Sequence, residues 1–103
     1  MTKAELYFSR SIMLYGREGF ERLQESSVAV VGMGGVGSYA AEALCRAGLG
    51  NLRIIDCDII KPTDINRQVI ALATNTGERK TDAAAARLTQ INPVVHLDVR
   101  YAF

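Results

Sequence analysis

Between Leu6 and Leu23 apolar residues recur at helical spacing: Leu6, Phe8, Ile12, Met13, Tyr15, Phe20 and Leu23. Gly16 and Gly19 interrupt the series, so the spacing predicts two short helices joined by a turn, closing at Ser26-Ser27. The pattern then changes character. Val28-Ala29-Val30-Val31 is too short for a helix and apolar on both faces, which predicts a parallel strand covered by helices. Ser38 to Ala47 reads as a helix with Ala40, Ala43, Leu44 and Ala47 on its apolar face, stopped by Gly48 and Gly50. Leu52-Arg53-Ile54-Ile55 predicts a second strand, ending at Asp56. Asp58 to Gln68 is polar and irregular, and Pro62 excludes a long helix at its start. An alanine-rich helix is expected from Thr81 to Gln90, ended by Asn92-Pro93, and a third strand from Val94 to Val99.

After the helical leader the order is strand, helix, strand, helix, strand. That alternation predicts an α/β fold, a Rossmann-like three-layer half (β-α-β-α-β) with a mainly parallel sheet. Three strands leave an exposed sheet edge, as expected of a fragment or of a chain whose partner covers it.

Composition narrows the class. The 103 residues are 49% hydrophobic and 22% charged, proportions of a globular domain. A net charge of +1 directs the chain toward neither nucleic acid nor membrane. The longest apolar stretch, Ser27 to Tyr39, is broken by four glycines and falls short of the roughly 20 residues of a membrane span. The first residues lack the pattern of a signal peptide. Cys45 and Cys57 form neither a CxxC pair nor a disulfide framework and read as small buried hydrophobes. A reducing, cytoplasmic setting without membrane contact fits all of this. His96, alone on a predicted strand, has no metal-ligand spacing and reads as structural, so no protein-held metal site is expected.

Between the first strand and its helix lies Gly32-Met33-Gly34-Gly35-Val36-Gly37. In the spacing Gly32-x-Gly34-x-x-Gly37, the first glycine permits the tight turn and the second lets backbone approach a phosphate. The third lets the helix pack closely on its strand. Free N–H groups and the positive end of the helix dipole, around Gly35 and Val36, favour an anion. Asp56 follows Gly37 by nineteen residues, the interval at which a carboxylate meets a ribose hydroxyl. Asp58 could reach the same pocket or serve only as a strand-end turn residue. Residues 27–103 therefore read as a nucleotide-binding domain and residues 1–26 as its helical leader.

The glycine turn alone does not separate a dinucleotide from ATP. The downstream cluster Asn66-Arg67-Gln68 and Lys80 favours a triphosphate, whose departing pyrophosphate needs fixed cations. Arg67 could clamp a pair of phosphate oxygens and Lys80 act as a point charge on the leaving group. Each could equally be a solvated surface cation.

Taken together, these segments resemble the ATP-dependent adenylating family of ThiF-like proteins, which includes the thiamine and molybdopterin biosynthesis activators and the ubiquitin-activating enzymes. The matching segments are Ser9-Arg10, GMGGVGS from Gly32, RAGLGNLRIIDCD from Arg46, INRQ from Ile65, Lys80, and QINP from Gln90. LYGREG from Leu14, GVGSYAAEAL from Gly35 and NRQVIAL from Asn66 are most similar to the tRNA threonylcarbamoyladenosine dehydratases. The resemblance implies that a substrate carboxylate attacks the α-phosphate of Mg-ATP, giving an acyl adenylate and pyrophosphate. It implies tRNA as the substrate, with a ubiquitin-like or sulfur-carrier protein as the alternative. A nucleotide-binding module without turnover is the third reading.

Carried over by position, the resemblance assigns the phosphates to Gly35 and its neighbours and the ribose to Asp56. Asn66, Arg67 and Lys80 take the triphosphate. Arg10 matches a leader arginine that members insert into the partner subunit's ATP site, which implies a homodimer. Arg10, Arg67 and Lys80 are thus the expected catalytic residues. Asp64 departs from the family's usual asparagine, and beside a triphosphate it needs Mg²⁺ or Arg67 to neutralise it. The chain also stops before the family's metal-serving aspartate, so it is expected to be the N-terminal portion of a longer adenylating domain, binding ATP weakly without turnover.

Overall fold

A computed structural model describes all residues, 1–103. The leader comes first as α1 (Lys3–Tyr7) and α2 (Ser9–Glu25). Thr2 and Glu5 form a reciprocal capping box at the start of α1, satisfying amides that have no helical partner. Of the two glycines expected to interrupt the leader, only Gly16 does so. Its φ of 76° and ψ of 164° break the helical path inside α2, whereas the helix runs through Gly19. The rings of Phe8 and Phe20, with centroids 6.1 Å apart, close over Gly48. The Gln24 side chain donates to the Gly48 carbonyl, and the Gly50 amide donates to the Leu23 carbonyl at 3.2 Å. The leader is thereby fastened just ahead of the second strand, at the amino end of the sheet.

β1 (Ser27–Val31), β2 (Asn51–Asp56) and β3 (His96–Tyr101) form an all-parallel sheet in the order β1-β2-β3. Val28, Leu52 and Leu97 lie in one register row, and Val30, Ile54 and Val99 in another. Helices α3 (Gly37–Ala47) and α4 (Lys80–Ile91) pack over the face these rows present, on a core that includes Cys45, Leu49, Leu52, Ile54, Ala84 and Leu88. A short 3₁₀ turn, Pro62–Asp64, begins the segment that leads to α4. The α/β arrangement expected from the alternation is therefore present, with element ends displaced by one or two residues.

Two expectations are corrected. β1 is not covered on both faces: burial alternates along it, and Val31 remains 77% exposed. Only one helical layer is present, and Ala29, Arg53 and Arg100 lie exposed on the other side of the sheet. On α3 the fully buried residues are Ser38, Ala41 and Cys45; of the expected face Leu44 packs against the core, while Ala40 and Ala43 face solvent. Alanine is tolerated on either side of a helix, so an alanine-rich stretch does not reveal which face packs.

Two side chains tie the elements together. Asn92, fully buried, donates to the carbonyls of Cys45 and Leu49 at 3.1 and 3.2 Å and accepts from the Val94 amide at 3.2 Å. It joins the end of α3, the entry to β2 and the approach to β3. Glu42 on α3 is held by Arg87 of α4 and by Arg46 one turn along its own helix. Hydrogen bonds from Arg87, then from Arg46, hold its carboxyl below the usual range despite opposing desolvation.

Candidate nucleotide-binding site

At the carboxyl end of β1 the Gly32 amide donates to the Ile55 carbonyl at 2.7 Å, extending the parallel ladder by one residue. The chain then turns sharply, with Gly32 at φ 92°, a conformation that glycine adopts without steric penalty. The Met33 side chain is driven fully into the core, and its amide donates to Asp56 Oδ2 at 2.6 Å. Asp56 Oδ1 accepts from the Asp58 amide at 2.7 Å. One carboxylate at the end of β2 therefore holds both the glycine turn and its own exit loop. Each of its oxygens retains a lone pair for a further donor.

The remaining glycines divide the work of the turn. A Cβ on Gly37 would lie 1.7 Å from the Gly32 carbonyl oxygen, so α3 starts in contact with the turn itself. A Cβ on Gly34 would meet nothing within 4 Å, which leaves backbone open on that side. Gly35 faces Arg67: a Cβ there would lie 3.5 Å from the Arg67 carbonyl and 3.8 Å from its Cγ. The amides of Gly34, Gly35, Val36 and Gly37 donate to no acceptor in the chain. Val36 caps α3 without a side-chain hydrogen bond and is 86% exposed. Four unpaired N–H groups at a helix start, with its dipole behind them, make a cradle for an anion.

The downstream residues close on the same end of the sheet. The Asp58 carbonyl accepts from the Lys80 amide at 3.0 Å, which fixes the first residue of α4, and an isolated bridge between Ile59 and Arg79 reinforces the join. Asp58's side chain is exposed. Asp64 ends the 3₁₀ turn and is 3% exposed, with Oδ2 accepting from the Lys61 amide at 2.9 Å. Lys80 Nζ lies 3.8 Å from Asp64 Oδ2, and Arg67 Nη2 lies 3.4 Å from Oδ1. The Lys61 amide, followed by the charges of Lys80 and Arg67, holds the Asp64 carboxyl below its ordinary range. Asp64 therefore faces two cations of its own chain. Lys80 is buried, while Arg67 reaches outward and donates to the Thr63 carbonyl at 2.9 Å and the Asn66 side chain at 3.1 Å.

Arg10 is not part of this assembly. It is exposed on α2, two residues after Phe8, and the leader is fastened at the opposite, amino end of the sheet. Cys57 is half-buried rather than enclosed, with its thiol 3.9 Å from Asp58 Oδ1. Asp56, Cys57 and Asp58 offer side-chain atoms within 4.8 Å of one another. His96 lies exposed at the start of β3, away from that group. Gln68 and Thr81 are buried beside this region, and neither Gln68 Oε1 nor Thr81 Oγ1 has a partner. Burial of the Gln68 and Thr81 side chains depends on how the 65–79 segment folds back, which no local spacing signals. No helix is long and apolar enough to cross a membrane.

With this geometry in view, similarity to known proteins is informative. The sequence model of the ThiF family matches residues 8–102. A tRNA threonylcarbamoyladenosine dehydratase of Bacillus subtilis is 49% identical over 86 residues, covering 84% of this chain and 34% of that protein. Ubiquitin-like modifier-activating enzyme 5 of Arabidopsis thaliana is 46% identical over 81 residues, covering 79% and 19% respectively. The crystal structure of the Escherichia coli tRNA N6-threonylcarbamoyladenosine dehydratase with ATP aligns at a TM-score of 0.96 and 40% identity. That alignment covers 99% of this chain and 42% of the other. The chain spans about a third of the length of the dehydratases it matches.

Proposed function

This chain belongs to the ThiF family, and from that premise we propose that it binds ATP for adenylation of a substrate carboxylate. Four unpaired amides around Gly35 stand beside Arg67, with Lys80 behind, and this is the observation that carries the reading. The amides would hold phosphate oxygens, Asp56 the ribose hydroxyls, and Asn66, Arg67 and Lys80 the outer phosphates. Mg²⁺ would arrive on the phosphates. It takes hard oxygen donors, and the exposed Asp58 carboxylate is of that kind. The protein's contribution is positioning and charge neutralisation as pyrophosphate leaves.

Likeness to the dehydratases supports a threonylcarbamoyladenosine carboxylate in tRNA as the group activated, in the cytoplasm, with net loss of water on ring closure. Likeness to a ubiquitin-like modifier-activating enzyme supports the second reading, activation of a carrier-protein C-terminus. Arg10, remote from its own site, would act in the site of a second copy, making the working unit a homodimer.

Thermal melting tests the ligand. Mg-ATP at about a hundredfold over its Kd should stabilise the chain by about 2.7 kcal/mol. Stabilisation by NADH with none by Mg-ATP would overturn the reading. In the full-length protein, pyrophosphate exchange that requires modified tRNA, or instead a carrier ending in Gly-Gly, decides between the two substrates.

A further inference from the structure

Asp64 is the only buried carboxylate in the molecule. Both of its oxygens face cations: Oδ2 lies 3.8 Å from Lys80 Nζ and Oδ1 lies 3.4 Å from Arg67 Nη2. The Lys61 amide completes its shell. Neighbouring buried oxygens, Gln68 Oε1 and Thr81 Oγ1, are themselves without partners. Such a carboxylate is tolerated only while Lys80 and Arg67 remain close, and a buried Lys80 is tolerated only while the carboxylate faces it. The three groups constrain one another and together carry a charge of +1 rather than +2.

We infer that Asp64 is a built-in counter-anion: it positions Arg67 and Lys80 and makes the pocket select the metal-complexed form of a nucleoside triphosphate over the free polyanion. This rests on the reading that Arg67 and Lys80 meet the nucleotide's phosphates. Free ATP carries about four negative charges near neutrality and its magnesium complex about two. Coulomb repulsion from one fixed carboxylate therefore acts about twice as strongly on the free form. A divalent ion on the phosphates would lower the net negative charge that the carboxylate meets. Without Asp64 the pocket would hold two uncompensated cations and favour whichever anion is most highly charged. Asp64 is thus a positioning and specificity residue, acting through Arg67 and Lys80 rather than on the reacting atoms.

Calorimetric titration of the chain with ATP plus EDTA, with Mg-ATP and with inorganic tripolyphosphate tests this. Asp64→Asn should raise affinity for metal-free ATP and tripolyphosphate by roughly tenfold, the order expected of one charge removed within a few ångströms in a partly screened site. Affinity for Mg-ATP should change less than about threefold, so the preference for the complexed form narrows. An unchanged ratio overturns the inference, whatever happens to either affinity, because a carboxylate that only caps the turn at Lys61 acts on both forms alike. Asp64→Glu, which keeps the charge, should keep the preference, and its loss there would also overturn the inference. Lys80→Met separates this from the underlying site assignment. If Lys80→Met loses ATP while the Asp64→Asn ratio stays put, the assignment stands and the inference falls. If Lys80→Met binds ATP like the wild type, the assignment itself fails.

Discussion

Gly37→Ala and Gly34→Ala, two substitutions three residues apart, should have opposite signatures. At position 37 the new methyl would lie 1.7 Å from the Gly32 carbonyl oxygen and 2.8 Å from its carbon, where real Cβ contacts do not fall below 3.0 Å. Both opponents are backbone, so no side chain can swing aside, and α3 must retreat by more than about 1 Å. Overpacking of this kind costs about 1–3 kcal/mol, and a backbone–backbone conflict belongs at the upper end. For a chain of this size, about 3 kcal/mol lowers Tm by roughly 12–24 °C. At position 34 the methyl meets nothing within 4 Å and the backbone φ is not positive. Stability should hold or rise by up to about 1 kcal/mol, since alanine narrows the unfolded ensemble. The same methyl would stand where a phosphate approaches, so ATP affinity should fall by roughly tenfold or more, about 1.4 kcal/mol. Differential scanning calorimetry with and without Mg-ATP reads both effects in one series. A Gly37→Ala protein melting within about 3 °C of the wild type would refute the packing argument. A Gly34→Ala protein with wild-type ATP affinity would refute the phosphate-approach argument.

Asn92→Ala should destabilise the fold by about 2–3 kcal/mol in urea unfolding, because it strands the Leu49 carbonyl and leaves the Cys45 carbonyl only its bond from the Gly48 amide; a loss under about 1 kcal/mol would contradict that role. Glu42 has a depressed folded-state carboxyl, so its contribution is present above the unfolded value near 4.3 and is lost as pH falls through the lower folded value. Glu42→Gln should therefore cost about 1 kcal/mol at pH 7 and progressively less as pH falls through the lowered folded value, and a difference that stays constant with pH would refute the linkage. Burial pushes the Cys45 thiol up to about 11, with the Glu42 charge adding to the rise. A thiol reagent at pH 8 should label one cysteine, Cys57, in the native chain and two in urea; two rapid native labels would show that α3 does not close over Cys45.

Much of this molecule is written in short-range sequence. A β-branched run, a glycine turn and a small-residue helix constrain one another within twenty residues, so β1, the turn and α3 are legible from Val28 to Ala47. The reason is backbone geometry: Gly32 needs its positive φ and Gly37 its missing side chain wherever the rest of the chain goes. The segments bearing Asp56, Asn66, Arg67 and Lys80 could likewise be assigned to one end of the sheet, because parallel crossovers return each strand in the same direction. Tertiary structure decided what depends on distance through space. Alanines at positions 40, 41 and 43 are interchangeable to a helix, and only packing with Cys45 and Leu44 against the common core sets that Ala41 turns inward. The apolar run of β1 does not disclose that one of its faces stays open in this chain. Asp64 and Lys80 are sixteen residues apart, and only the fold converts a charge conflict into a buried ion pair. The leader's docking at Gly48 leaves Arg10 at the amino end of the sheet, because packing of Phe8 and Phe20 decides where that helix rests.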